Sequence, residues 1–341
     1  MSKKYKKFAI LFLLFFIFFI FIRNKKSSTF LNKNKKMFNI IKHELQGLIK
    51  KNINSIDSLY ITGTIKFGNF IISINNAILF CELFHCKRII IQSYKDIFIN
   101  NKIVYQKYNL TIGNSLFLTL NNKSLKKSVV FFYYLKNFIP LGNINRFHIL
   151  KEEILNNLPK VKVHHDDLFI YIRGGDVFQI INRPGFGYAQ PPLCFYRNIL
   201  NKFKFRGIRI ISIDKSNPVL TFLEQFYHAK YAKNDIKLDI SYLANSYNII
   251  SAKSSFIISI IKLNNNVKFV WEYDFYLLSE RYFHLHYSVY SFSFKYIIYK
   301  MKASENYKKF MTPFINSINQ RELMIKEKCD DHFYIIPPRI L

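Results

Sequence analysis

Cysteine is scarce in this chain, with four in 341 residues (Cys81, Cys86, Cys194 and Cys329) and no C-x-x-C pair among them. That excludes a disulfide-rich mini-scaffold and gives no support to zinc-ribbon or thioredoxin chemistry. The four are open to one or two disulfides in an oxidising compartment, or to service as buried thiols. Glycine and proline are nearly as sparse, at 10 and 9, which excludes collagen-like and glycine-rich low-complexity chains. Acidic residues are few as well, 21 against 51 Lys and Arg, for a formal charge of +30. Such an excess invites a nucleic-acid reading. Here, though, it is mostly lysine, scattered along the chain, and accompanied by heavy use of Asn, Ile, Phe and Tyr. These are amino acids of A/T-rich codons, so nucleic acid is not the expected partner. A phosphate-bearing ligand or an anionic membrane surface suits the charge better. What the chain does have is apolar substance, 50% hydrophobic and 18% aromatic. That is enough for one large or two ordinary domains of roughly 100–200 residues each.

The longest apolar run stands near the start. Lys3, Lys4, Lys6 and Lys7 precede an unbroken stretch from Phe8 to Ile22, followed by Arg23, Lys25 and Lys26. A spanning helix usually takes ~20 residues, so this one suits the thinner early secretory membrane. A cleaved leader of similar length ends in small residues, and Phe21, Ile22, Arg23 and Asn24 offer none. Residues 1–36 therefore read as a cytoplasmic tail, an uncleaved transmembrane signal-anchor over 8–22 and the start of a stem. The Lys- and Asn-rich residues 37–57 continue that stem. Positive charge flanks the run on both sides, so it does not fix the orientation. Nearly the whole chain follows the run and no second long span appears, which favours a single-pass type II arrangement with a lumenal C-terminal portion. Asn109-Leu110-Thr111 and Asn122-Lys123-Ser124 have the form of glycosylation acceptors.

From residue 58 the texture changes. Leu59–Ile61 reads as a strand and residues 62–69 as a loop with two glycines, Gly63 and Gly68. Residues 70–84 recur apolar at helical spacing, and 87–91 read as a buried strand, completing a βαβ unit. The pattern returns later. Strands are expected at 168–172, 208–213, 247–251 and 267–271, and helices at 195–203, 218–226, 239–245 and from Ser254 to Ile261. Strands alternating with helices predict an α/β fold with parallel sheets covered on both faces. The expected layout is two Rossmann-like domains, over 58–150 and 160–300, with 301–341 as a C-terminal tail. No elements are assigned to the aromatic-rich stretch from Tyr273 onward.

Three features fall where ligands of open α/β sheets sit, at strand ends. Gly68-Asn69 precedes a helix, where glycine lets backbone N–H groups approach a phosphate or sugar; the alternative is a tight turn. Tyr171-Ile172-Arg173-Gly174-Gly175-Asp176 carries an arginine placed to clamp a diphosphate; the alternative is an Arg–Asp pair stabilising a turn. Ser251-Ala252-Lys253-Ser254-Ser255-Phe256 offers hydroxyls and N–H groups at a helix start; the alternative is ordinary N-capping.

Together the three resemble the fucosyltransferase superfamily of α1,2-, α1,6- and protein O-fucosyltransferases over about residues 58 to 275. Phe67-Gly68-Asn69 is similar to its first glycine loop. Arg173 is similar to the arginine on the donor's β-phosphate, and Asp239 with Ser254-Ser255-Phe256 to its nucleotide-binding segment. Tyr188-Ala189-Gln190-Pro191-Pro192-Leu193-Cys194-Phe195-Tyr196 resembles a Gly-Gln-Pro-Pro-Leu-x-Phe-Tyr stretch of one branch of these enzymes. The chain departs from the pattern at Tyr171 (His is usual), Phe70 (often Gln) and Ser255 (often Thr). The resemblance implies a GT-B-like pair of Rossmann-like domains and inverting transfer of a sugar without a metal or other cofactor. The donor expected first is GDP-fucose, the acceptor a glycan or protein hydroxyl, and the compartment the Golgi or endoplasmic reticulum membrane. It implies a catalytic role for Arg173; Asp176, read from the sequence itself, is the one acid nearby that could serve as base, hold the arginine or cap the following segment. Donor contacts are expected from Gly68, Asn69, Arg173, Asp239, Ser254, Ser255 and Phe256.

Metal chemistry finds little else to stand on. No Asp-x-Asp triplet occurs; Asp166-Asp167 and Asp330-Asp331 read as solvated turns, and His164-His165 lacks a third partner at ligand spacing. Asp274 lies at a strand end, on the acceptor side. Two other readings stay open: a transferase using another nucleotide sugar, and a non-catalytic anchored binding protein that keeps the fold.

Overall fold

The computed structural model describes residues 58–61, 67, 68, 71, 74, 77, 78, 81, 87–91, 103–105, 110–114, 129, 130, 148–179, 189–252, 254–275 and 295–338. The chain divides into two units, Met1–Asn54 and Ser55–Leu341. The expected anchor (8–22) and stem lie outside the described residues, as do Asn69, Cys86, Asn109 and Asn122. Among the described residues no helix is long and apolar enough to cross a membrane.

The fold is α/β, built on two mostly parallel sheets. The first contains β1 (Ser58–Ile61), β2 (Arg88–Ile91), β3 (Ile103–Tyr105), β4 (Leu110–Asn114) and β5 (Val129–Val130) in the order β3-β4-β2-β1-β5. Only the β3–β4 pair is antiparallel. Between β1 and β2, Phe67, Gly68, Ile71, Ile74, Ala77, Ile78 and Cys81 are helical and buried, Ile71, Ile74 and Ile78 among them carrying the apolar spacing expected of residues 70–84. Gly68 therefore belongs to a helical turn and not to the loop expected for it.

The second sheet has seven strands. These are β6 (Asp167–Tyr171), β7 (Gly207–Ile211), β8 (Lys230–Tyr231), β9 (Asn248–Ser251), β10 (Phe269–Asp274), β11 (Ile297–Lys302) and β12 (Phe333–Ile336). Their order is β12-β11-β10-β9-β6-β7-β8, parallel throughout except for β11–β12. Central strands of a parallel sheet are covered on both faces and read as continuous apolar runs. That is why Leu168–Ile170 and Ile249–Ile250 were legible as strands, and all are buried. Alternation sends Leu168, Ile170, Ile210, Ile250 and Trp271 to one face. There they meet α3 (Leu193–Lys202), α4 (Pro218–Tyr227) and α8 (Ile318–Lys326) in one apolar cluster. The opposite face carries α5 (Ile236–Asn245) and α6 (Ser255–Leu263), where Tyr242 stacks on Phe169 and Phe256 on Tyr171. Two further helices are α1 (His148–Asn156), which packs on α6, and the single turn α2 (Asp176–Gln179). Helix starts follow side-chain caps. Asn217 accepts the Val219 N–H at 3.0 Å with Pro218 behind it, and Asp235 accepts the Leu238 N–H at 2.8 Å. The latter begins α5 three residues earlier than the apolar pattern alone suggests.

The tail expected over 301–341 is built into the sheet as far as the described residues go: residues 301–338 complete β11, form α7 (Glu305–Phe310) and α8, and return as β12 along the edge. Two fastenings hold this segment. The Tyr307 hydroxyl donates to the Gln190 carbonyl at 2.9 Å, and a disulfide joins Cys194 to Cys329 with a Cα separation of 5.6 Å. Cys81 is buried. The disulfide spans 135 residues of sequence, a loop whose closure in the unfolded chain is worth up to roughly 5 kcal/mol. Replacing Cys329 by Ser should cost about 2–5 kcal/mol of unfolding free energy. In thermal melts, dithiothreitol should lower the wild-type midpoint and leave that of the Cys194→Ala/Cys329→Ala pair unmoved.

Candidate functional site

From β6 the chain winds to β7 and β8 in one direction. From β9 it winds to β10 and β11 in the other, with β6 and β9 adjacent. Such a reversal opens a crevice beyond the carboxyl ends of the two diverging strands, the usual ligand position of an open α/β sheet. The strand that ends at Tyr171 runs on into Arg173, and the strand that ends at Ser251 runs on into Ser254 and α6. Two of the three features singled out in the sequence therefore flank the switch point.

The backbone that carries Arg173 is fixed by the loop beyond β7. Gly175 has φ +62°, a left-handed conformation that glycine adopts without penalty. Its N–H donates to Asp214 Oδ1 at 3.0 Å and lies 3.1 Å from Ser216 Oγ. The same carboxylate oxygen receives the Ser216 N–H at 3.0 Å and the Ser216 hydroxyl. A Cβ on Gly174 would collide with that oxygen and stand 3.1 Å from Ser212 Oγ. Asn217, besides capping α4, donates from Nδ2 to the Arg173 carbonyl at 3.2 Å. The Arg173 side chain is 19% exposed, and its Nη2 lies 4.0 Å from Asp176 Oδ1. The Arg–Asp pair foreseen as the simpler reading is thus present, but at the outer limit of contact and with Asp176 47% exposed.

The second and third features meet directly, with Tyr171 Oη 3.4 Å from Ser254 Oγ. Burial raises the Tyr171 pKa, against the Ser254 hydrogen bond and the Arg173 charge and with the charges of Asp176 and Asp239, so the phenol stays protonated. The first feature joins them through Gly68. A Cβ there would sit 2.5 Å from the Phe256 amide nitrogen and closer still to the Ser255 carbonyl carbon. The Ser259 hydroxyl donates to the Gly68 carbonyl at 3.5 Å, and the Phe67 and Phe256 rings meet edge to face at 5.8 Å. The glycine is required because two protein backbones touch, a signal that local sequence cannot separate from a ligand-facing loop. At the start of α6, Ser254 Oγ accepts the Phe256 N–H at 3.2 Å, so the helix carries its own cap.

Asp239 sits in the first turn of α5. Burial pushes its carboxyl up to about 6, against the Asn234 amide that donates to Oδ1 at 2.8 Å and with the Asp235 charge adding to the rise. Asp274, the residue expected on the acceptor side, ends β10 and is 9% exposed; its Oδ2 accepts the Tyr334 hydroxyl at 2.6 Å. Sequence reasoning passed over Asp214, Ser216 and Asn217 as functional. Their only local sign is a hydroxyl- and amide-rich turn between strand and helix.

Two expectations about histidine and aspartate change. Asp166 places a carboxylate oxygen 3.1 Å from His165 Nε2 and 3.8 Å from His164 Nδ1, so the histidines do have a third neighbour with metal-ligating atoms within reach. The cluster is largely exposed and lies at the amino end of β6, away from the switch point. Asp167 is no solvated turn residue, because Arg206 holds it by two bonds of 3.0 and 3.1 Å. A groove of about 370 Å³ between α7 and α8, lined by Tyr307, Phe310 and Leu323 among others, contains none of the candidate residues.

Comparison with protein-family models, curated proteins and solved structures finds no match for this chain.

Two outcomes follow from this geometry. Gly68→Ala should lose about 1–3 kcal/mol of stability in urea denaturation, because no side-chain movement relieves a clash with backbone. Asp239, with a folded pKa of about 6 against the usual 3.8, favours the fold only while protonated. That contribution is full below about pH 4 and lost as pH rises through about 6. Asp239→Asn should therefore melt above the wild type at pH 8, with the gap closing toward pH 4.

Proposed function

We propose that this chain is a membrane-anchored, inverting glycosyltransferase of GT-B-like, two-domain architecture. It moves a sugar, fucose from GDP-fucose in the first instance, to a hydroxyl of a glycan or protein in the lumen of the Golgi or endoplasmic reticulum. The observation that carries the reading is Arg173. It follows the end of β6 at the switch point, on a backbone fixed by Asp214 and Asn217, two residues beyond the Tyr171 whose hydroxyl meets Ser254 at the start of α6. The sequence resemblance assigns the same arginine to the donor's β-phosphate.

The chemistry follows from charge. As the anomeric carbon separates from the nucleoside diphosphate, negative charge gathers on the β-phosphate oxygen and positive charge on the sugar ring. A guanidinium brought to that oxygen would stabilise it through two parallel N–H donors, and the fixed backbone of Arg173 lowers the reorganisation this costs. The Ser255 hydroxyl and the positive end of the nine-residue helix α6 supply further favourable potential. Asp176, half exposed and one turn from Arg173, is positioned to take the proton of the attacking hydroxyl. Asp239, on α5 and within electrostatic reach of Tyr171, suits an amide-bearing base whose N–H groups need a carboxylate acceptor.

One observation favours a second reading, that of a non-catalytic anchored binding protein. The start of α6 is capped by its own Ser254 and covered by Gly68, leaving fewer donors for a phosphate than the sequence suggested. A third keeps the chemistry and changes the nucleotide. Calorimetric titration of the full chain with GDP and UDP separates the three. The transferase reading expects GDP to bind below millimolar concentration, and Arg173→Ala to remove turnover of GDP-fucose without lowering the melting temperature. Absence of GDP binding at millimolar concentration ends the fucose version, and an Arg173→Ala protein that behaves as wild type ends the catalytic one.

A further inference from the structure

One row of residues is out of character for the interior of a parallel sheet. In register across four adjacent strands, on the face that carries α5 and α6, stand Tyr171, Ser251, Glu272 and Lys300; Tyr334 of β12 continues the row. Glu272 and Lys300 form an ion pair of 3.4 Å with side chains only 16% and 6% exposed. Burying such a pair costs several kcal/mol per ion, and apolar side chains of similar volume usually stabilise as well or better. The pair is therefore weak as a stabilising device, and its position argues for another role. It lies one layer beneath Asp274, two residues further along β10, at the same carboxyl-end level from which Arg173 and Ser254 project.

Above the pair, the Tyr334 hydroxyl reaches across β11 to Asp274 Oδ2 at 2.6 Å, while the tyrosine as a whole remains 44% exposed. The result is an aromatic ring pinned at its polar tip beside a nearly buried carboxylate. An ionised carboxylate only accepts hydrogen bonds, so a ligand here has to bring donors and cannot be a phosphate. A pyranose brings both complements, hydroxyls for the carboxylate and an apolar C–H face for the ring. Strands lie ~4.8 Å apart, which sets Asp274 about 10 Å to the side of the strand bearing Arg173, within the span of one sugar ring and its linkage.

We propose that Asp274 and Tyr334 form a saccharide subsite at the carboxyl end of β10, with the Glu272–Lys300 pair holding Asp274 in place from below. The identity of the transfer rests on the reading given above; the binding of a hydroxylated ring at Asp274 does not. The same chemistry could belong to the donor's sugar or to an acceptor glycan, and the experiment separates them. Full-length wild type, Asp274→Asn and Tyr334→Phe are titrated with GDP, with GDP-fucose and with the methyl glycosides of galactose, N-acetylglucosamine and fucose. Binding of the glycosides is followed by saturation-transfer NMR and folding by thermal melting. Loss of a charged hydrogen bond predicts roughly 10- to 100-fold weaker sugar binding in Asp274→Asn. Tyr334→Phe, which keeps the ring, should lose less, and GDP affinity should be unchanged in both. Weakened GDP-fucose with unchanged glycosides assigns the subsite to the donor sugar, and the reverse assigns it to the acceptor. If the wild type binds a glycoside but not GDP, the transferase reading falls and the saccharide site stands. Variants that bind every probe as the wild type does, or a wild type that takes neither the glycosides nor the sugar of GDP-fucose, overturn the subsite.

Discussion

The carboxyl ends of β6 and β9 are the only neighbours in the seven-stranded sheet from which the chain winds away in opposite directions. Helices cannot cover that seam, because the crossover leaving each strand departs to its own side. The residues that follow the two strands are Arg173 on one side and the Ser254–Phe256 turn on the other. The position of the Arg173 backbone is thus a consequence of winding, and its precision a consequence of the loop beyond β7. Asp214 gathers the Gly175 and Ser216 N–H groups while Asn217 holds the Arg173 carbonyl. A held backbone removes one part of the freedom an arginine loses on binding, and the side chain, 19% exposed, is already largely out of water.

Local physics explains which parts of this arrangement were legible in the sequence. Strands buried on both faces announce themselves as apolar runs, and helices that start on Asn217 or Ser254 carry their caps in the sequence, whereas the Asp235 cap that starts α5 lay ahead of the apolar pattern and was missed. That Arg173 leaves the end of a strand was legible because it follows an apolar run and precedes two glycines; whether it serves a ligand or the Arg173–Asp176 pair was not. The rest depended on contacts between residues far apart. The bond from Gly175 to Asp214 spans 39 residues and that from Ser259 to Gly68 spans 191, and no periodicity reports either. Pairing of Cys194 with Cys329 could not be chosen by spacing among four cysteines. Residues 301–341 hid for a different reason. β12 is a short edge strand with Tyr334 and Ile335 exposed, and edge strands lack the pattern that burial imposes on central ones.

Gly68 shows how one signal serves two masters. A glycine ahead of an apolar helix predicts close backbone approach, and the approach occurs, but the approaching group is the Ser255–Phe256 peptide of α6. With Phe67 edge-on to Phe256 and Tyr171 on the other side of the same ring, the aromatic contact ties residues near β1 to the start of α6. The start of α6 and the segment around Gly68 are therefore packed as one unit. The Ser254 cap sharpens the point. Its hydroxyl already satisfies the Phe256 N–H, so an incoming phosphate competes with an intramolecular bond worth about 1 kcal/mol. Arginine must supply most of the anion's stabilisation, and the helix end the lesser part.

Charge is divided along the strand ends in a way that orders the ligand. A guanidinium stands at β6, hydroxyls at the start of α6, and carboxylates at β10. A diphosphate lying across all of them would meet Asp274 with like charge, which in a partly dehydrated crevice is strongly unfavourable. A molecule that is anionic at one end and hydroxylated at the other meets complementary groups in sequence. A sugar nucleotide has that polarity, with its phosphates toward β6 and its ring toward β10. So does a pair of substrates with the acceptor glycan on the β10 side. The Glu272–Lys300 pair fits the same division. Burial raises the Glu272 pKa and the neighbouring Asp274 adds to the rise, while Lys300 opposes both, so the pair brings no net charge to the sheet beneath Asp274.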